Sequence, residues 1–176
     1  KKHARRRSKN LNELRSVLKN AGQIDESLLG KALTKLHDIS GSETVVLYSI
    51  ESNQSRQLAA AGEIPPALTG SRFFLKGDSL IIKYSGSLGE EEIGKIQGKI
   101  SFSSKVTRLE MTVLPLQPTS GQTTVCIFSS REQHQTPPVS LASTALFLET
   151  LLALIDNVRN SDGDSRYKDK NTGLLV

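Results

Sequence analysis

At 176 residues and 36% hydrophobic content the chain has the size and composition of one domain with one core, and that core must be mostly aliphatic, because there is no Trp and there are only three Tyr and five Phe. The formal charge is +5, and Lys1, Lys2, Arg5, Arg6 and Arg7 alone supply as many positive charges as the whole excess. So short a basic tail on a nearly neutral body argues against a nucleic-acid-binding domain.

A single cysteine, Cys126, excludes an internal disulfide and points to a reducing cytoplasm. No run approaches the roughly 18 apolar residues of a bilayer span. The polar "SKN" that follows the basic cluster is not the apolar stretch of a signal peptide. Residues 1–8 read equally well as a solvated tail or as the cytoplasmic flank of a membrane helix lying upstream.

Leu11, Leu14, Val17 and Leu18 recur at helical spacing and predict a first helix over 9–20. A second, with Leu28, Leu29, Ala32, Leu33 and Leu36 on one face, is expected to end near Ser40–Gly41. Asp25 is placed to cap its first amides, with Ile24 and Leu29 as the staple around the cap. The period then changes. "ETVVLYSIE" (43–51) and "RQLAAAG" (56–62) read as a hairpin across "SNQS". "IPPALTG" cannot lie inside a strand, since paired prolines lack ladder donors.

"SRFFLK" and "SLIIKYS" predict two strands around a Gly-Asp turn. Ser87-Leu88-Gly89-Glu90 has the form of a capping box and predicts a short helix through about Ile96. "ISFSS" is expected to be a short strand, and "VTRLEMTVLPL" and "TTVCIFSS" strands on either side of "QPTSGQ". The last element is a long helix, with Pro138 in its first turn and its end near Arg159. Leu141, Ala145, Leu148, Leu152 and Ile155 occupy heptad a and d positions along it, and Leu146, Leu151, Leu154 and Val158 form a second apolar side. One side would pack on the domain's own sheet; the other could pack on a second copy. Leu141, Ala145, Leu148, Leu152 and Ile155 are the expected homodimer seam. An antiparallel sheet with helices on one face accommodates this order of elements.

No catalytic set is legible. His3, His37 and His134 are scattered, and there is no HExxH, CxxC, phosphate loop or dinucleotide fingerprint, so neither a dedicated metal site nor a nucleotide cradle is expected. Cys126 sits mid-strand, where a thiol is usually a small buried hydrophobe. Arg72, Lys83, Arg108 and Glu110 are charges within apolar strands, which suits outward-facing alternation. Together with Tyr48 and Cys126 they are also the candidates for lining a small-molecule pocket over the free face of the sheet.

The order of elements, the Ala60-Ala61-Gly62 end of the first hairpin and Val113-Leu114-Pro115-Leu116 before an apolar strand resemble a GAF domain over roughly residues 22–160. Asp169, Thr172, Gly173 and Leu174 are similar to the Asp-x-Leu-Thr-Gly-Leu phrase that opens GGDEF domains, the diguanylate cyclases, although Asn171 replaces the usual Leu and Leu175-Val176 stand where Asn-Arg is usual. The resemblance implies an α+β, GAF-like (PAS/profilin-like) antiparallel sheet of about five to six strands, with N- and C-terminal helices on one face. It implies a basic segment over 1–8, a sensory domain over 9–160, and a linker with the start of an output domain over 161–176. The implied role is regulatory rather than enzymatic: a dimer whose long helix transmits a signal to a GGDEF-type domain in cyclic-di-GMP signalling. A non-sensory docking module is the alternative. The Asn-Lys-x-Phe-Asp-Glu signature of cyclic-nucleotide-binding members is absent, and neither a bilin-type cysteine nor a placed haem ligand is visible, so the cofactor is unknown.

Overall fold

A computed structural model describes the backbone of residues 12–51, 53–117, 122–131 and 140–174, and side chains as far as residue 160. The basic tail, His3, His134, the helix start at Pro138 and most of "QPTSGQ" lie outside the described residues. Helix α1 covers 12–19 and α2 Ser27–Ser40. The strands are β1 Thr44–Glu51, β2 Gln54–Gly62, β3 Arg72–Lys76, β4 Ser79–Lys83, β5 Glu90–Lys95, β6 Ile100–Ser103, β7 Glu110–Leu116 and β8 Thr123–Ser130, and helix α3 runs Leu141–Leu174.

Five strands form an antiparallel sheet in the order β2-β1-β8-β7-β6, and β3-β4-β5 form a second, three-stranded antiparallel sheet. Strand alternation sorts the side chains of the larger sheet onto two cores. Val45, Leu47, Leu114, Leu116, Cys126 and Phe128 face the helices, packing against Leu14, Leu28, Leu33, Leu36, Phe147, Leu148, Leu151 and Ile155. Val46, Tyr48, Ile50, Met111, Val113, Val125 and Ile127 face the other way, onto Phe73, Leu80, Ile82, Tyr84 and Ile93 of the smaller sheet's side. The face expected to be free is therefore roofed by β3-β4-β5 and filled with side chains.

Local chemistry accounts for the ends of the elements. The N-cap of α2 is Glu26, whose side chain makes no cap bond, and not the expected Asp25; the Asp25 carboxylate, one residue earlier, accepts from the Ser27 amide at 2.9 Å and from the Ser27 hydroxyl, and Gly41 closes the helix in the left-handed conformation. Ser140 caps α3: its carbonyl accepts from the Thr144 amide, and its Oγ lies 3.4 Å from the Ser143 amide. The first described turn of that helix therefore starts three residues after Pro138.

Several further expectations change. The helix expected over 87–96 is strand β5, because Gly89 at φ 89° and Gly94 at φ 146° hold backbone conformations foreign to a right-handed helix. The capping-box pattern there belongs to a turn in which the Tyr84 amide donates to the Gly89 carbonyl. Next, α3 does not stop near Arg159; its backbone stays helical to Leu174, through the stretch read as a linker, which contains no proline to break it.

Third, the seam assigned to a dimer packs inside the domain. Leu148 and Ile155 are buried, and Leu141, Ala145 and Leu152 are half-buried against the same core. The sheet buries this side of the helix, each fully buried Leu or Ile contributing about 1.5–3 kcal/mol. By length and composition Leu141–Asn160 would also suit a membrane span, with a mean hydropathy of 1.5, contrary to the expectation of no such run. Within that stretch Phe147, Leu148, Leu151 and Ile155 are buried against the sheet, whereas Leu146 and Val158 are exposed.

Candidate functional site

The roofed face of the large sheet is closed by aliphatic side chains and one aromatic pair. Tyr48 of β1 meets Phe73 of β3 with ring centroids 4.7 Å apart at 45°. Burial pushes the Tyr48 hydroxyl up to about 12. It is the one member of the expected pocket set that lies in this core.

The other five are dispersed. Cys126 is fully buried on the opposite, helix-facing side, where burial raises its thiol well above the ordinary value. Arg72 and Lys83 are neighbours across β3 and β4, exposed on the outer surface of the roof, and Lys83 lies 3.9 Å from Glu90 of β5. Arg108 occupies a left-handed turn position at φ 56°. Glu110 begins β7, where its Oε1 accepts from Ser103 at 2.7 Å. These residues do not converge on one cavity.

What converges is a cluster of side chains that the sequence analysis did not single out. Tyr84, just beyond β4, donates its hydroxyl to Glu91 Oε2 at 2.6 Å, and Ser104 Oγ donates to the same oxygen at 2.7 Å. The two hydroxyl oxygens are 2.8 Å apart. Two protons serve three oxygen contacts, so with the carboxylate ionised both hydroxyls point at Glu91. Its other oxygen accepts from the Lys105 amide at 3.1 Å and the Val106 amide at 3.3 Å.

Ser104 Oγ in turn accepts from the Thr107 amide at 3.0 Å, and the Arg108 amide closes the turn onto the Ser104 carbonyl at 3.1 Å. Residues 104–108 are thus a single helical turn whose free amides are all taken, two by Glu91 and one by Ser104. Arg108 ends that turn, which explains its positive φ.

Burial works against ionisation of Glu91, but the hydrogen bonds from Tyr84, Ser104 and the two amides outweigh it and hold the carboxyl below its ordinary value. For Tyr84, burial first and the bond to Glu91 second push the hydroxyl up to about 12. The cluster ties the roof to the β6–β7 turn. One signal in the sequence could have located it. In "EEEIG" a strand that buries Ile93 must turn Glu91, two residues before it, to the same side.

A second feature is an open cleft of about 720 Å³ between the start of α2 and α3, lined by Ile24, Asp25, Glu26, Ile155, Val158 and Arg159. Glu26 and Arg159 form an exposed ion pair across it. Among the described residues no group of three or more His, Cys, Asp or Glu is placed to hold a metal ion.

No family model matches the chain, and no curated protein matches it. Solved structures do. A GAF domain from Pseudomonas syringae pv. tomato, of a protein assigned as a sensor histidine kinase, superposes with a TM-score of 0.59 at 15% identity, over 91% of this chain and 93% of that one. The free methionine-R-sulfoxide reductase of Neisseria meningitidis, solved in complex with its substrate, superposes with a TM-score of 0.51 at 16% identity, over 89% of each chain. The fold expected from the resemblance, an α+β GAF-like antiparallel sheet with helices, is the fold observed.

Proposed function

We propose that this chain is a regulatory, non-catalytic domain that forms a homodimer and passes a signal through α3 to a C-terminal output domain, of GGDEF type in cyclic-di-GMP signalling. The observation that carries this reading is the course of α3. Its first turns are locked into the helix-side core by Phe147, Leu148, Leu151 and Ile155, and the same helical backbone continues to Leu174. A rotation or shift of the domain core is thereby transmitted along a stiff rod, and the Asp169-x-x-Thr172-Gly173-Leu174 phrase lies at the end of that rod. The GAF fold of a protein assigned as a sensor kinase supports a sensory role.

The dimer contact falls on the side of α3 that the core leaves free, the i, i+4 ridge of Leu146, Thr150, Leu154 and Val158, on which Leu146 is 65% exposed. The only cysteine of the chain, Cys126, is buried with its thiol held protonated. That thiol also suits a reducing, cytoplasmic setting.

Native mass spectrometry of the purified chain, set against its denatured mass, tests the dimer: twice the chain mass supports it, and monomer alone at tens of micromolar would overturn it. The output is tested by assaying a parent chain that continues beyond Val176 for cyclic-di-GMP formed from GTP. A second reading, a docking module that reads no small molecule, is favoured by one observation, the filling of the roofed face by Phe73, Leu80, Ile82 and their partners.

A further inference from the structure

Directly opposed residues of an antiparallel sheet share a face. On the helix-facing side of the large sheet the row Leu47, Cys126 and Leu114 is apolar and belongs to the core. The next row on that side, two residues along, is Arg56 of β2, Ser49 of β1 and Thr124 of β8. A cation and two hydroxyls thus replace apolar side chains, although helices α2 and α3 still reach over the row. Ser49 is buried, and its hydroxyl donates to Gln122 Oε1 at 3.1 Å. Between this row and the helices lies a cavity of about 70 Å³. Leu29 of α2 and Leu152 and Ile155 of α3 form apolar walls, and Arg56, Thr124 and Asp156 add polar groups. A water molecule needs roughly 10–15 Å³ of such space, so the cavity has room for about five to seven atoms of that size. Arg159 borders it too, but pairs with Glu26 across the neighbouring cleft. Among the described residues the Arg56 guanidinium makes no ion pair.

We propose that this cavity is a binding site for a short aliphatic monocarboxylate. The carboxylate pairs with Arg56, whose planar fork matches its two oxygens. The alkyl chain lies against Leu29, Leu152 and Ile155, which gives the apolar walls a purpose that an inorganic anion would leave unmet. Asp156 on the same cavity opposes a second negative charge, so a dianion such as phosphate at neutral pH is disfavoured. The ligand spans from the edge strand β2 to Leu152 and Ile155, the last residues of α3 that pack into the helix-side core. Occupancy therefore adds a contact where α3 leaves the sheet. The site lies on the side of the sheet away from β3-β4-β5, and it rests on neither the dimer nor the output domain.

Sodium propionate titrated into the nitrogen-15-labelled chain tests the site, with amide shifts as the readout and sodium chloride holding ionic strength constant at neutral pH. Saturating shifts are expected at Arg56, Thr124, Leu152, Ile155 and Asp156, with half-saturation in the low millimolar range usual for so small a ligand, and none at Tyr84 or Glu91 on the roof side. Inorganic phosphate over the same concentrations is expected to give no saturating shift at those amides. Arg56 is exposed, so Arg56→Gln is expected to keep the parent spectrum while raising the half-saturation concentration at least ten-fold. Should that variant fail to fold, Arg56→Met is measured under the same criteria. Shifts that grow linearly without saturating, saturation undiminished in the Arg56 variant, or phosphate saturating the same amides as readily as propionate would each overturn the proposal.

Discussion

The Tyr84 hydroxyl lies 2.6 Å from Glu91 Oε2, and Ser104 completes a triangle with both. This contact joins a residue just beyond one strand of the roof to the second residue of the next, and through Ser104 to the turn before β7. Loss of the carboxylate leaves the Tyr84 hydroxyl with Ser104 alone as partner and uncaps two amides. Glu91→Ala is expected to lower the unfolding free energy by about 1–2 kcal/mol, the lower part of the usual range because the carboxylate is partly in contact with water. Urea titration followed by circular dichroism measures it, and an unchanged midpoint would show that the cluster does not hold the roof.

The same contact predicts a pH dependence. Glu91 has a folded-state value below its ordinary 4.5. Its stabilisation is therefore fully present above that ordinary value and is lost as pH falls through the lower folded one. The stability gap between the parent chain and Glu91→Gln should be full above pH 4.5 and close as pH falls through the lower folded-state value. Tyr84 has the opposite sense. Raised from 10.0 to about 12, it contributes fully below pH 10 and loses that contribution as pH rises toward the folded value. Urea melts of both proteins across the range read both limbs, and a gap independent of pH would remove the carboxylate from the account.

Leu146 and Leu148 are two residues apart on α3 and have opposite surroundings, 65% and 0% exposed. Leu148→Ala should cost about 2–5 kcal/mol by opening a cavity between helix and sheet. Leu146→Glu should change stability by no more than about 0.5 kcal/mol while weakening self-association. Sedimentation equilibrium of the Leu146 variant separates the two effects, and an undiminished dimer would move the contact away from this ridge.

Gly62 ends β2 at φ 85°, and a Cβ there would lie 2.1 Å from the Glu43 carbonyl oxygen and 2.7 Å from the His37 ring. His37 Nε2 is 3.2 Å from that same carbonyl. Gly62→Ala is expected to destabilise the chain by about 2–3 kcal/mol, from an unfavourable backbone angle and a displaced carbonyl together. Thermal unfolding checks it, and a loss below about 0.5 kcal/mol would mean that the strand end yields without cost.

Much of this architecture is written in local pattern. The period-3.6 face of Leu28, Leu29, Ala32, Leu33 and Leu36, the alternation in "TVVLYSI" and "TTVCIFSS", and the turn glycine Gly77 place α2, β1, β8 and the β3–β4 hairpin without reference to anything distant. Local pattern misled at 87–96. A serine and a glutamate three apart look alike before a helix and before a bulged strand, and the deciding factor is the ladder that β4 offers to β5.

The same limit governs the functional surfaces. Periodicity shows that α3 has two apolar sides, because side-chain spacing along a helix is a property of the chain alone. Which side turns inward follows from the large sheet, whose strands come from both halves of the sequence. The polar cluster is less legible still. Tyr84, Glu91 and Ser104 look like ordinary strand-end and loop residues, and their chemistry exists only because the fold sets their oxygens within 2.8 Å of one another. Hydrophobic pattern is a sum over neighbours in the chain, whereas hydrogen bonding needs distance and direction between residues that meet only in the folded state.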